Sequence, residues 1–289
     1  MAKLNPRVDF VFKLIFGSEE NKDLLISLIN SVVSEQDQIQ DLVLKNPFSA
    51  KNYLSGKMVI LDIRAQDKSG KHYNIEMQIT DQLHYEKRAL FYWSDIYGKQ
   101  LTQGKSYGDL NKTIGIHILN FNLMDEADYH NRYCVMNIKS MKPAFCDLEL
   151  HTIELEKFDK EYGQIKTVLE RWVTFLTRSY DLKENALPDT LQDPLLKKAV
   201  HILDVVNLNE EERTLYEGQL KWLRDEAGAV EKAVLEAKED AFAEGKLEGK
   251  LEGKLEGKLE VAQALKATGM PTPQIAQITG LSIQKIESL

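Results

Sequence analysis

Val59, Leu61, Ile63 and Ala65 alternate along the chain with Ile60, Asp62, Arg64 and Gln66. A little further on, Tyr73, Ile75, Met77 and Ile79 alternate with Asn74, Glu76, Gln78 and Thr80. A hydrophobic period of two marks strands with one apolar face. The intervening Asp67-Lys-Ser-Gly-Lys71 supplies a turn, and a three-residue loop Lys68-Ser69-Gly70 fits because Gly70 tolerates the left-handed position such loops require. Closing that loop between Asp67 and Lys71 sets Gln66 opposite His72, Arg64 opposite Asn74 and Asp62 opposite Glu76. A register shifted by one would put Met77 opposite Asp62 and mix the two faces, so the apolar pattern argues against it.

The rest of the chain switches between the same two periodicities. Residues 8–16 and 20–33 read as helices, the second with Leu24, Leu25, Leu28, Ile29, Val32 and Val33 at helical spacing. A helix is expected over about 83–98, a buried strand over 113–121, and further strands within 133–155, including 148–155. From residue 160 the character is helical. Tyr162, Ile165, Val168, Leu169, Trp172, Phe175 and Leu176 form one stripe, Pro194 can open a helix over 194–206, and Asn209 with Glu212 forms a capped start to a long Ala/Glu-rich run. Trp172 and Trp222 are expected to be core or packing residues rather than platforms for stacked bases.

The hairpin carries the most specific chemistry. Directly opposed residues have β-carbons roughly 4.5–5.5 Å apart, so Asp62 and Glu76 repel unless a positive charge sits between them. A hydrated Mg²⁺ suits such a pair, because it takes oxygen ligands and keeps several waters, one of which is available as a nucleophile. Gln78 adds a third polar group on the same face. The competing reading is an ordinary exposed polar face on which a lone Asp/Glu pair has no chemical role.

Charge sharpens the picture more than composition does. The net charge is −8, yet residues 1–145 carry 18 Lys and Arg against 17 Asp and Glu, a net of +1, and residues 146–289 carry 19 against 28, a net of −9. Excess acid therefore lies away from the hairpin, and any affinity for a polyanionic partner is expected to be modest and salt-sensitive. The two cysteines, Cys134 and Cys146, are too few for a disulfide scaffold or a cysteine-based metal site. With no run long enough to span a membrane and no signal-like N-terminus, a cytoplasmic protein is expected.

Several segments carry a family resemblance. Asp9-Phe-Val-Phe-Lys13 running on to Ile15-Phe-Gly17, Leu61-Asp-Ile63 with Ala65, Tyr73-Asn-Ile-Glu-Met-Gln78, Arg88-Ala-Leu-Phe-Tyr-Trp93 with Tyr97, and Ile114–Phe121 together resemble the Rpn group. These are the recombination-promoting nucleases, or transposase-like proteins, of the PD-(D/E)XK nuclease superfamily. The resemblance implies an α/β fold with a restriction-endonuclease-like core and a helical C-terminal extension. It also implies a Mg²⁺-dependent DNA endonuclease, with Mn²⁺ as a substitute, in which Asp62 and Glu76 hold the metal. Gln78 stands where the superfamily usually has Lys; it can hydrogen-bond a water but brings no positive charge. Asp9 is either a third ligand or a charge at a helix N-terminus, with Lys13 either its i,i+4 partner or a DNA contact. Arg88 either touches DNA phosphate or is structural.

The expected organisation is a nuclease-like domain over 1–158, a helical region over 159–243, a repeat over 244–260 and a small helical tail over 261–289. The repeat is Glu-Gly-Lys-Leu iterated four times and closed by Glu260. Four residues advance a helix by 400°, so each residue type forms its own slowly winding stripe. Like charges at i,i+4 and a cost of roughly 1 kcal/mol per Gly weaken an isolated helix. A parallel homo-oligomer would offset this by setting Glu flanks against Lys flanks; the alternative is a solvated linker helix. Residues 275–286 resemble a helix-turn-helix with Gly280 in the turn and Ser282 as N-cap, but Lys285 alone is a thin basic complement for reading DNA, and a small helical cap or partner module is the favoured reading. Two functions are carried forward: a metal-dependent endodeoxyribonuclease that promotes recombination, and a DNA- or partner-binding protein that keeps the nuclease fold with weak or no catalysis.

Overall fold

A computed structural model describes residues 3–48, 62–81, 83–206 and 208–289. Two compact units divide between Arg224 and Asp225. The first is built on a six-stranded sheet of order β1-β2-β3-β4-β8-β5. Its strands are β1 (Leu42–Leu44), β2 (Asp62–Asp67), β3 (His72–Gln78), β4 (Thr113–Leu119), β5 (His130–Cys134) and β8 (Leu148–Glu154), and β6 (Met136–Asn137) pairs separately with β7 (Lys142–Pro143). The centre of the sheet is parallel, β3 with β4 and β4 with β8, while both sides close with antiparallel pairs.

The β2–β3 hairpin has the expected register: Asp62 opposite Glu76, Arg64 opposite Asn74, Gln66 opposite His72. Val59 and Leu61, which extend the apolar alternation, lie outside the described residues. The turn closes through the Asp67 N–H donating to the Lys71 carbonyl at 3.1 Å, and Oδ1 of Asp67 accepts from the N–H groups of Ser69 and Lys71, both at 2.9 Å. Gly70 has φ +93°, and a β-carbon there would meet Asn111 at 2.9 Å, so a side chain would be both strained and crowded.

Alternation assigns the two faces of the sheet different work. Ile63, Ala65, Tyr73, Ile75, Met77, Ile114, Ile116, Ile118 and Ile153 join the main core. Against them pack α1 (Asp9–Phe16), α2 (Lys22–Val32), α4 (Val168–Arg178) and α5 (Pro194–Val205), whose Phe10, Phe16, Leu24, Leu28, Trp172, Phe175 and Val200 belong to the same cluster. The opposite face carries Asp62, Glu76, Gln78 and His117, and lies towards α3 (Tyr85–Lys99), the crossover that the parallel β3–β4 pairing requires. Tyr85 and Ala89 of α3 pack there with Leu119 and Phe121, and Trp93 donates to the Thr113 carbonyl at 2.7 Å.

The helical stripe from Tyr162 differs from expectation in where it starts. Thr167 caps α4 in a reciprocal box with Glu170, so the helix opens at Val168, and residues 162–164 form a separate single turn. Trp172 is 1% exposed within the same core as the sheet. Residues 159–205 therefore supply part of the wall that supports the hairpin. The long helix α6 (Glu210–Ala267) begins with the Asn209–Glu212 reciprocal cap, at 2.9 and 3.0 Å. In the second unit Ala262, Ile275 and Ile286 are buried together, Ser282 caps α8 (Ile283–Glu287), and Gly280, at φ +69°, ends α7 (Thr272–Thr279). Leu247, Leu251 and Leu255 of the repeat are exposed. Among the described residues no helix is long and apolar enough to cross a membrane.

Candidate active site

Strand pairing brings Asp62 and Glu76 side by side, and the pleat points them away from the isoleucine face. Both are buried, at 8% and 2% exposure, and Gln78 lies beside them at 8%. Each carboxylate already has a cation against one oxygen. Nε of Arg64 donates to Oδ2 of Asp62 at 2.8 Å. Nη2 of Arg88 donates to Oε1 of Glu76 at 2.8 Å and to Oε1 of Gln78 at 2.9 Å, tying the two together. The Arg88 guanidinium also sits 4.7 Å from the centre of the Tyr85 ring. Asn46 continues the edge of β2, donating to the Asp62 carbonyl at 2.8 Å and accepting from the Arg64 N–H at 2.7 Å.

Helix α1 contributes Asp9, whose Oδ2 accepts from Nζ of the buried Lys13 at 3.0 Å, one turn on. Burial raises the Glu76 carboxyl above the ordinary carboxylate range; Arg88 opposes the rise, and the negative charges of Asp62 and Asp9 add to it. Asp9 is therefore close enough for its charge to be felt at Glu76. Each of the three carboxylates has one cation against it: Arg64 on Asp62, Arg88 on Glu76 and Lys13 on Asp9.

Whether a divalent cation fits turns on the chemistry of the donor set. Carboxylate and carboxamide oxygens are hard donors, suited to Mg²⁺ or Mn²⁺ rather than to the thiolate and imidazole sets of zinc. Among the described residues no three His, Cys, Asp or Glu side chains form a closed metal cluster. A Mg²⁺ ion commonly takes only one or two carboxylates and completes its shell with water and substrate phosphate. Asp62 and Glu76 are the residues that would hold one.

Arg64, His117 and Tyr85 enter the site without having been anticipated. Parallel pairing sets His117 beside Glu76, with Nδ1 3.7 Å from Oε2. The Tyr85 hydroxyl lies 2.9 Å from the same Nδ1. Burial, reinforced by Arg88 and His151, pushes the His117 imidazole down to about 4, so it is neutral at physiological pH. Its Nε2 has no hydrogen-bond partner among the described residues. The sequence signal was Gly115 two residues earlier: a β-carbon there would sit 3.0 Å from the His117 ring and 2.7 Å from Leu150, so a glycine clears the space the ring fills. Of the readings the sequence left open for Arg88, a phosphate contact or a solvated or structural role, the structure shows a structural contact, since it reaches inward to Glu76 and Gln78.

A family model described as PD-(D/E)XK nuclease family transposase matches residues 6–233. No curated protein matches the chain, and no solved structure does. The matched span contains the whole sheet, both carboxylates and the helices that support them. An α/β core with a helical C-terminal part accords with that family, Gln78 departs from the Lys of its motif, and the chain belongs to the PD-(D/E)XK nuclease family of transposases.

Proposed function

We propose that the protein is an endodeoxyribonuclease that hydrolyses phosphodiester bonds in DNA at Asp62 and Glu76 with Mg²⁺, for which Mn²⁺ can substitute, leaving breaks that promote recombination. The observation that carries this reading is the opposition of two buried carboxylates on β2 and β3, with Gln78 on the same face, in a chain of this family. A divalent cation held there would acidify a water and neutralise charge on the phosphoryl oxygens. The chain's own groups supply orientation. The Gln78 carboxamide accepts from Arg88 and donates to the Thr80 carbonyl at 3.2 Å, so it is fixed at both ends and presents its remaining lone pair in a set direction. Arg88, anchored on Tyr85, is the nearest cation to where charge would develop and takes part of the role a lysine at position 78 would have. With DNA as substrate, the reaction belongs in the cytoplasm.

Plasmid nicking tests the reading. Wild-type protein should nick supercoiled DNA with Mg²⁺ or Mn²⁺, and Asp62→Ala and Glu76→Ala should each abolish it. No metal-dependent nicking by the wild type, or equal nicking by both variants, would leave the second function, a binding protein on a nuclease fold. For the repeat, the exposed Leu247, Leu251 and Leu255, four residues apart on one stripe, favour a parallel homo-oligomer. A chain ending at Ala243 should then show a smaller mass by light scattering; an unchanged mass refutes it.

A further inference from the structure

Beside the carboxylates the first unit has a cavity of about 360 Å³, within the size range of small-molecule sites. Arg7, Asp9, Gln78, Thr80, Gln219 and Trp222 line it. Gln78 belongs both to the cavity and to the strand that carries Glu76, while Asp62 and Glu76 themselves do not line the cavity. We propose that this cavity receives an unpaired nucleobase of the DNA strand being cut, stacked against Trp222, and that the enzyme therefore selects single-stranded or locally unpaired DNA. The inference rests on the nuclease reading of Asp62 and Glu76 and names its substrate class.

Three observations favour a base over other occupants. Trp222 is 54% exposed at the cavity, contrary to the packing role its sequence context suggested, and an exposed indole face is a stacking surface for any base. The lining suits a base on both counts: Val8, Met77, Ile79 and Leu223 are apolar, and the amides of Gln78 and Gln219, already bonded to Arg88, Thr80 and Phe10, retain further donor and acceptor capacity. Asp9 at the rim argues against a bare anion as occupant but can accept from an exocyclic amine. A base in a duplex is stacked and cannot enter such a cavity without being extruded, which is least costly where it is already unpaired.

Binding without divalent metal separates this proposal from catalysis. Full-length protein is titrated into 2-aminopurine oligonucleotides, single-stranded and as the blunt duplex of the same sequence. The single strand should bind at least tenfold more tightly, with its fluorescence quenched. Trp222→Ala should weaken that binding roughly ten- to hundredfold, the loss of one stacked base, while Trp222→Phe stays within a few-fold of wild type and Tyr107→Ala, an exposed aromatic outside the cavity, changes nothing. Equal affinity for both forms, no binding to either, or an unaffected Trp222→Ala overturns the proposal. Metal-dependent nicking together with any of those results would leave the nuclease reading standing alone. Trp222-dependent binding without nicking would remove the nuclease and keep the base site.

Discussion

Arg88 is the counterion that lets Glu76 stay ionised in a buried position, and replacing it by alanine should expose how much the fold depends on that pairing. The Glu76 side chain is 2% exposed and that of Arg88 21%. Removing one partner of such a pair strands a charge away from water, at a cost of about 3–5 kcal/mol. For a folding unit of this size, 1 kcal/mol moves the melting temperature by about 2–4 °C. Arg88→Ala should therefore melt roughly 6–20 °C lower at neutral pH, followed by near-UV circular dichroism. The pH dependence identifies the cause. In the folded chain Glu76 holds its proton more tightly than in the unfolded chain, and losing Arg88 tightens that hold further. At acidic pH Glu76 is protonated with or without Arg88, so the deficit should be small there and should widen as the pH rises to neutral and beyond, as the folded chain is forced to give up that proton. Mg²⁺ should narrow the deficit at the higher pH by replacing the missing charge. A deficit under about 3 °C at neutral pH, or one that is the same across that range, would refute the assignment of Arg88 as the counterion that keeps Glu76 charged.

Trp172→Ala removes a fully buried indole packed between Phe16 and Phe175 and should cost about 3–5 kcal/mol in a single transition that includes the sheet; a two-step melt with the sheet transition unmoved would show that the helices fold apart from it. Gly115→Ala drives a β-carbon to 2.7 Å from Leu150 and 3.0 Å from His117. It should cost about 1–3 kcal/mol and slow nicking through Glu76, and stability equal to wild type in urea denaturation would contradict the close approach. Gln78→Lys sets an ammonium against Arg88, now 2.9 Å from the carboxamide oxygen, and should lower stability without raising the nicking rate. A many-fold gain in rate would show that the missing charge at position 78, and not crowding by Arg88, limits the reaction.

The hairpin was legible because its evidence is local: strict alternation on both strands and a glycine at the one turn position that needs it fix which residues oppose. The helices at Asp9–Phe16, Lys22–Val32 and Pro194–Val205 were legible for a similar reason, since an apolar stripe needs only its own neighbours. Partners across the fold were not. His117 reaches Glu76 through parallel pairing across a crossover, with about forty residues between them in the chain, and no short-range pattern encodes that. The direction of Arg88 depends on where α3 lies over β4, which periodicity does not specify. The stripe around Trp172 announced a buried face without saying that the surface it meets is shared with the sheet.

The Lys68-Ser69-Gly70 turn carries a consequence for how this protein can change over evolutionary time. Substitutions at Lys68 or Ser69 touch little, but inserting or deleting a single residue there alters the parity of the pairing. The ladder could still form nearly all its backbone bonds, and the strands would still be strands. Glu76 or Asp62, however, would turn into the isoleucine face, and the two carboxylates would no longer meet. The chemistry is thus written into the turn as a count: relatives that retain it should vary at the positions of Lys68 and Ser69, keep the glycine at position 70, and hardly vary in the length of the loop.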